Sequence, residues 1–122
     1  IEGEAGFRSR EQAMIEELTR KQDIVLATGG GAVLSSQNRA ALSEQGTVVY
    51  LRATAEDLWL RTRHDRGRPL LQTADPQARL ALLFEQRDPL YREIADITVD
   101  TSRQSVASLV HQLEQKLARL DC

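Results

Sequence analysis

The side chains best suited to binding chemistry in this chain are its arginines. The 122 residues include 16 basic ones, of which two are lysines and 14 are arginines. A planar guanidinium forms forked, bidentate hydrogen bonds with a carboxylate or a phosphate, which a lysine ammonium cannot do. Arg8 precedes Glu11 by three residues, and Arg87 begins the segment RDPLYRE. Taken singly, neither arginine exceeds what a local ion pair would explain.

A second group of arginines lies in the middle of the chain. It contains Arg61, Arg63, Arg66 and Arg68. Such a run is often solvated surface. Gly67 and Pro69, however, bracket Arg68 in an irregular segment, and this composition is typical of a lid that closes over a phosphorylated ligand. The sequence therefore predicts a lid at about residues 64–75, in which arginine neutralises phosphoryl charge.

A glycine-rich loop offers a different kind of binding surface. Thr28 and the three glycines at 29–31 end a short apolar run, residues 24–27, that we predict to be a buried strand. Ligands bind at the carboxyl ends of parallel strands, and glycines let a ligand contact the backbone, although a tight turn is the alternative. The loop is no phosphate-binding P-loop, because no lysine follows it. His64 and His111 lack metal-ligand spacing, so we predict no metal site.

The elements that must position these residues alternate between helices and strands. Hydrophobic spacing and capping residues predict helices at about residues 10–20, 36–45, from Thr54, 76–86, from Pro89 and 106–120. Short β-prone runs predict strands at 24–27, 47–51 and 97–99. Helical crossovers between successive strands imply a parallel sheet with helices on both faces. The predicted fold class is therefore α/β, in a single domain over residues 1–122.

The composition limits the classes of protein to which the chain can belong. Its net charge of -2 argues against a general binder of nucleic acid or anionic membranes, and its 41% hydrophobic content is that of a globular domain. The longest apolar run, residues 80–84, is far shorter than the ~20 residues of a membrane span. Cys122 is the single cysteine, so no disulfide can form within the chain. We expect a cytoplasmic protein without nucleic-acid or membrane partners.

Six segments, taken together and in order, resemble the shikimate kinase family. They are GEAGFRSRE (3–11), IVLATGGGAV (24–33), VVYL (48–51), RPLL (68–71), RDPLYREIAD (87–96) and DTSRQS (100–105). Each segment is weak evidence alone, but the ordered set is specific and spans nearly the whole chain. The resemblance implies a P-loop kinase fold of the nucleoside-monophosphate-kinase-like type. It also implies transfer of the γ-phosphoryl of ATP to a hydroxyl of shikimate, which gives shikimate 3-phosphate.

The resemblance assigns roles to particular residues. The shikimate site would comprise Arg8, Gly29, Gly30, Gly31 and Arg87. The two arginines would clamp the carboxylate, Gly30 would meet the ring hydroxyls through its backbone, and Glu11 would orient Arg8. The ATP site would comprise Arg61, Arg68, Arg103 and Gln104. Within it, Arg68 would reach the phosphates from the lid and Arg61 would lie against the adenine.

The chain departs from the family pattern at its beginning. The family starts with a strand, a P-loop and a second strand that ends in an acidic pair, and none of these precedes Ile1. We therefore expect the C-terminal two-thirds of the enzyme, with no catalytic base or metal ligand of its own and with ATP and Mg²⁺ binding dependent on the missing segment. This fragment alone would be inactive, with a gap in its sheet between residues 24–27 and 47–51. The full-length form would be a monomer.

Two other interpretations stay open at this point. One is a related small-molecule kinase such as gluconate kinase, which the two separate arginine motifs disfavour because they suit a ring acid with a carboxylate. The other is a non-catalytic small-molecule-binding or regulatory domain. An in-frame P-loop upstream of Ile1 would favour the enzyme, whereas an upstream start codon without one would favour the binding domain.

Overall fold

The computed structural model describes residues 3–62, 75–102 and 104–120 of the chain. The helices within these residues are α1 (Gly3–Leu18), α2 (Ser36–Gln45), α3 (Ala55–Thr62), α4 (Pro76–Ile94) and α5 (Val106–Leu120). The strands are β1 (Val49–Arg52) and β2 (Ile97–Asp100). Between α1 and α2 the chain forms one 3-10 turn, Gly30–Leu34, which we call the glycine turn.

The two strands form a parallel pair with a fixed register. Val49 lies opposite Ile97, and the pairing continues to Arg52 opposite Asp100. Backbone bonds close both ends, because the amides of 96 and 97 donate to the carbonyl of residue 48 and the amide of Thr101 donates to the carbonyl of Arg52. Parallel strands need a long crossover, here supplied by α3 and α4. The predicted α/β class is confirmed.

A small apolar core joins the glycine turn to this pair of strands. Its buried side chains are Ile15, Ala32, Val33, Leu83, Ile94, Ile97 and Val99. Ala32 and Val33 belong to the glycine turn, and both are almost completely excluded from solvent. The turn is therefore held in place from inside the protein, even though Gly29 and Gly30 lie at the surface. None of the described helices combines the length and the apolar character that crossing a membrane requires.

Helices α2 and α5 begin and end at the predicted residues, because local side chains cap them. The hydroxyl of Ser35 accepts a hydrogen bond from the amide of Asn38, and the hydroxyl of Ser105 accepts one from Ser108. Helix α1, by contrast, begins at Gly3 instead of near Arg10. The residues before Arg10 continue the helical pattern, so the predicted capping signature is not used.

Helix α4 is one helix of 19 residues, where the sequence pattern predicted two. That prediction took Asp88 as the cap of a second helix starting at Pro89, and it is wrong. The carboxylate of Asp88 accepts hydrogen bonds from Tyr50 and Arg52 of β1, so it binds the sheet and not the backbone of its own helix. Pro89 lacks an N–H for the preceding turn, but the helix continues across it because its flanking residues are anchored on β1.

The predicted strand at residues 24–27 is not formed, which corrects the expected count of strands. Ile24 is 45% exposed and Val25 fully exposed, and within the described residues β1 pairs with β2 alone. A strand requires a hydrogen-bonded neighbour, which this segment does not have there. Residues 24–30 and 47–51 instead line an open cleft of about 1400 Å³, with α4 and α5 contributing further apolar walls. The two segments thus line one cleft, and β1 does not pair with residues 24–27.

Candidate functional site

The glycine turn is fixed through its backbone carbonyls by side chains from two helices. Asn38 of α2, which is 2% exposed, donates to the carbonyl of Ala32 over 2.9 Å. Arg39 donates to the carbonyl of Val33 over 2.6 Å. From α4, the hydroxyl of Tyr91 donates to the carbonyl of Gly30 over 2.5 Å. The turn is therefore held from both sides, and its backbone presents a rigid surface.

Arg8 lies directly on this surface. A Cβ atom added at Gly31 would be 2.7 Å from Nη1 and 2.8 Å from Cζ of Arg8, so only glycine leaves room for the guanidinium in this position. Glu11, one turn further along α1, accepts from Nη1 of Arg8 over 2.8 Å. The Arg8 side chain is 35% exposed and that of Glu11 is 14% exposed. Glu11 thus orients the guanidinium, which stays accessible to a ligand.

Arg87 lies at the neighbouring glycine. A Cβ at Gly30 would be 3.0 Å from Nη1 of Arg87 and 3.2 Å from Oη of Tyr91. Within the described residues, the buried Nε of Arg87 has no hydrogen-bond partner. A buried donor without a partner is costly, so this atom is available to an acceptor that arrives with a ligand. Burial raises the pKa of Tyr91, and the neighbouring Arg87 opposes that change.

Two guanidinium groups from helices far apart in sequence thus meet at adjacent glycines. Arg8 comes from α1 and Arg87 from α4, and the structure brings both to the turn together with Glu11. Glu11 hydrogen-bonds to Arg8, and the exposed carboxylate of Glu4 lies 3.9 Å from Nε of the same arginine. Forked donors at a rigid backbone suit a small, planar anion, and a carboxylate fits them best.

An acid-centred network behind the turn connects α4 to β1. Asp88 accepts from Tyr50 over 2.7 Å and from Arg52 over 3.2 Å, and it forms an ion pair with Arg92 at 3.0 Å. Burial alone would raise the pKa of Asp88, but these hydrogen bonds and positive charges outweigh it, so the pKa lies below its ordinary value. The network fixes the rotation of α4 from which Arg87 reaches the turn.

Two of the predicted ATP contacts lie together at a different place, around the segment that follows β2. Arg61 donates to the carbonyl of Thr101 over 2.7 Å and to its hydroxyl over 3.3 Å. Gln104 donates to the carbonyl of Asp100 over 2.6 Å. Asp57 contacts the hydroxyl of Ser102, and this hydrogen bond lowers the pKa of Asp57. The contacts hold α3 against this segment, and the roles of Arg61 and Gln104 toward adenine stay predictions.

The remaining predicted residues lie outside the described part of the chain. They are Arg63, His64, Arg66, Arg68 and Arg103. The proposed lid at about residues 64–75 is likewise outside it, apart from Asp75, which caps α4. Across residues 3–62, 75–102 and 104–120, no group of three or more His, Cys, Asp or Glu side chains is arranged to hold a metal ion.

Sequence reasoning missed three residues that shape the site. Asn38 and Arg39 hold the glycine turn, and nothing in their local pattern signals it. Tyr91 carries a detectable signal, because it follows Arg87 by four residues and therefore shares one face of a helix with it. Because the predicted helix ended before Pro89, Arg87 and Tyr91 were not placed on the same helix.

Fold and site together define an α/β protein of the P-loop kinase class, in an incomplete form of the nucleoside-monophosphate-kinase-like fold. The sequence profile named "Shikimate kinase" matches residues 1–118, and the chain belongs to that family.

Relatives and solved structures agree with this assignment. The shikimate kinase of Cupriavidus pinatubonensis is 60% identical over 98% of this chain and 65% of its own length. That of Thiobacillus denitrificans is 62% identical over 96% of this chain and 64% of its own length. The chain thus spans slightly less than two thirds of these curated relatives.

Two crystal structures share the fold. The shikimate kinase of Acinetobacter baumannii in complex with shikimate superimposes with a TM-score of 0.88 at 43% identity, over 97% of this chain and 66% of that one. The shikimate kinase of Bacteroides thetaiotaomicron gives a TM-score of 0.82 at 29% identity, over 95% of this chain and 70% of that one.

Proposed function

We propose that this chain forms the larger part of a shikimate kinase that transfers the γ-phosphoryl group of ATP to a hydroxyl of shikimate. The products are shikimate 3-phosphate and ADP. The observation that carries the proposal is the convergence of Arg8 and Arg87 on adjacent glycines of one rigid turn. The relative from Acinetobacter baumannii binds shikimate, which supports the same ligand here.

The shikimate site uses the turn and the two arginines in different ways. Arg8 and Arg87 hold the carboxylate by forked hydrogen bonds, with the buried Nε of Arg87 as one of the donors. The backbone at residues 29–31 meets the ring hydroxyls, since no side chain intervenes. Glu11 keeps the Arg8 fork in the orientation that binding requires. Holding the substrate in this way orients the attacking hydroxyl and reduces the entropic part of the barrier.

ATP is the co-substrate in this proposal, and Mg²⁺ the ion that accompanies it. Arg61 and Gln104 contact the adenine side, together with Arg103, and Arg68 neutralises phosphate charge from the lid. The described residues offer no group of three or more His, Cys, Asp or Glu side chains for the ion. The full-length protein acts as a monomer in the cytoplasm.

The experiment that tests this function is a shikimate titration of the full-length protein with ATP and Mg²⁺. Arg87→Ala and Arg8→Ala are expected to raise the KM for shikimate by about a hundredfold, because each removes a charge-assisted fork. The KM for ATP should change little. Arg79→Ala provides the control, since Arg79 is an exposed arginine on the same helix. Unchanged shikimate affinity in both variants would contradict the proposal.

The same assay separates the alternatives. Phosphorylation of gluconate in place of shikimate would identify a related small-molecule kinase. Shikimate binding without any phosphoryl transfer by the full-length protein would identify a non-catalytic binding domain.

A further inference from the structure

We propose that Tyr91 is the positioning residue of the shikimate site, because it holds Gly30 and Arg87 in a single fixed arrangement. This inference rests on the function proposed above. The hydroxyl of Tyr91 donates to the carbonyl of Gly30 over 2.5 Å, and this hydroxyl and Nη1 of Arg87 lie side by side against Gly30, 3.2 Å and 3.0 Å from the position a Cβ would take there. One phenol thus links the backbone and the side chain that are to meet the ligand.

The direction of the hydrogen bond between Tyr91 and Gly30 follows from the chemistry of the two groups. A carbonyl can only accept and a guanidinium can only donate, whereas a phenol has one proton to give and lone pairs to accept with. Tyr91 therefore gives its proton to Gly30 and keeps lone pairs toward the adjacent guanidinium of Arg87.

The ring of Tyr91 is itself fixed on the side away from the turn. It packs on the ring of Tyr50 with the centroids 4.7 Å apart and the planes at 34°. Tyr50 belongs to β1 and donates to Asp88, which lies on α4 one turn before Arg92. The phenol cannot move without disturbing the contact between α4 and β1. Tyr91 therefore connects β1 to the glycine turn through its ring and its hydroxyl.

The other supports of the turn act elsewhere. Asn38 and Arg39 hold the carbonyls of Ala32 and Val33, both beyond the glycines. Among the side chains that the structure describes, Tyr91 is the one that holds the carbonyl of Gly30. Without it, Arg87 keeps its charge but loses the orientation of its fork relative to the turn. Shikimate then binds more weakly in the ground state and in the transition state alike. Such an equal weakening raises the KM for shikimate and does not change kcat.

The test compares Tyr91→Phe with Tyr50→Phe in the full-length protein. Tyr91→Phe keeps the ring and its contact with Tyr50, and removes only the hydroxyl. We expect the Kd and the KM for shikimate to rise about tenfold, which is the usual effect of weakening one charge-assisted hydrogen bond to the substrate. The kcat and the KM for ATP should change by less than about twofold, because the substrate and the transition state are weakened equally. Tyr50→Phe keeps the ring against Tyr91, and Arg52 and Arg92 still hold Asp88, so α4 keeps its place on β1. This variant should lower the melting temperature while leaving the shikimate Kd within about twofold.

A double variant tests whether Tyr91 acts through Arg87. In an Arg87→Ala background, Tyr91→Phe should raise the shikimate Kd by no more than about threefold, because the residue it orients is gone. An unchanged Kd in Tyr91→Phe overturns the proposal, as do equal effects of the two phenylalanine variants. A Tyr91→Phe protein that fails to fold also overturns it, in favour of a purely structural role.

These outcomes are distinct from failure of the proposed function. If the unmodified full-length protein does not bind shikimate, both proposals fail. If it binds shikimate and Arg87→Ala abolishes binding while Tyr91→Phe does not affect it, the role of Tyr91 fails alone.

Discussion

At the scale of the residue, the site depends on atoms that are missing from glycine. Gly30 and Gly31 leave space that the guanidinium groups of Arg87 and Arg8 occupy. Glycine is often required because it permits backbone angles that other residues avoid. At these two positions it is required because two guanidinium groups come close to the backbone. Arg87 and Arg8 are therefore sensitive to a single methyl group at these positions.

Gly31→Ala is expected to weaken shikimate binding without unfolding the protein. The new Cβ would lie 2.7 Å from Nη1 of Arg8, so the arginine must move, and the end of a flexible side chain can do so at low cost. We expect a loss of about tenfold in shikimate affinity and a change in the free energy of unfolding below about 1 kcal/mol. Calorimetric titration and urea unfolding measure the two quantities.

Gly46→Ala is the matched control for that substitution. Its added Cβ would lie 3.9 Å from the carbonyl of Leu42, which is an ordinary contact, and Gly46 is at the end of α2. Shikimate affinity should be unchanged. Equal losses of affinity in Gly31→Ala and Gly46→Ala would argue against a direct contact between the turn and Arg8.

At the scale of the element, α2 and α4 hold the glycine turn between them. From α2, the side-chain amide of Asn38 donates a hydrogen bond to the carbonyl of Ala32. Asp88 is the contribution of α4 to the contact with β1. Each of these polar groups lies where water is largely excluded, so each is expected to affect stability more than an exposed residue would.

Asn38→Ala is expected to destabilise the full-length protein by about 1–3 kcal/mol. The substitution removes the side-chain hydrogen bond to the carbonyl of Ala32, which then keeps only the longer bond from the amide of Ser35 (3.4 Å), and it removes packing volume next to the turn. Urea unfolding at neutral pH measures the effect. A free energy of unfolding equal to that of the unmodified protein would show that water replaces the amide.

Asp88 makes a contribution to stability that depends on pH. The folded-state pKa is below the ordinary value, so the contribution is present above the unfolded pKa of about 3.9 and is lost as the pH falls through the folded pKa. We expect Asp88→Asn to lower the free energy of unfolding by about 1–3 kcal/mol at pH 7, and the difference to shrink below about pH 4. Urea unfolding of both proteins across pH 3–7 measures it, and a constant difference would contradict the assignment.

The sequence predicted well those elements whose ends are decided locally. Ser35 and Ser105 cap α2 and α5, and both helices have the predicted bounds. Residues 24–27 have the composition of a strand, but pairing depends on a neighbour that composition does not specify. Pro89 was taken as a helix start because its local preference is strong, whereas anchoring of Asp88 on β1 decides the outcome. The resemblance named Arg8 and Arg87, but their support by Asn38 and Tyr91 became visible only in three dimensions.

At the scale of the whole molecule, the described residues enclose an open cleft of about 1400 Å³. It exposes the edge of β1 and the apolar segment at residues 24–27, including Val25. Unpaired strand edges and exposed apolar side chains favour association between molecules. The cleft is therefore expected to distinguish this chain, prepared alone, from the full-length protein.

Residues 1–122 alone are expected to show no ATP-dependent phosphorylation of shikimate, and the full-length protein is expected to show it. The isolated chain should also bind the dye ANS more strongly, because the apolar lining of the cleft is accessible. A coupled assay of ADP release and dye fluorescence measure the two properties. If carefully purified residues 1–122 phosphorylate shikimate, this prediction is wrong, and the chain contains a phosphate-binding site that we have not identified.

The hydrogen bond from Tyr91 to Gly30 spans 61 positions in the chain and has a consequence for the order of assembly. Arg8, the glycine turn and α2 are close in sequence, so their contacts can form early, while contacts of large sequence separation close later. A growing polypeptide that has emerged only as far as α3 contains Arg8 and the turn but neither Arg87 nor Tyr91. The two guanidinium groups thus come together only after α4 has been added, and capture of a carboxylate ligand is expected to report that α4 has closed on the turn.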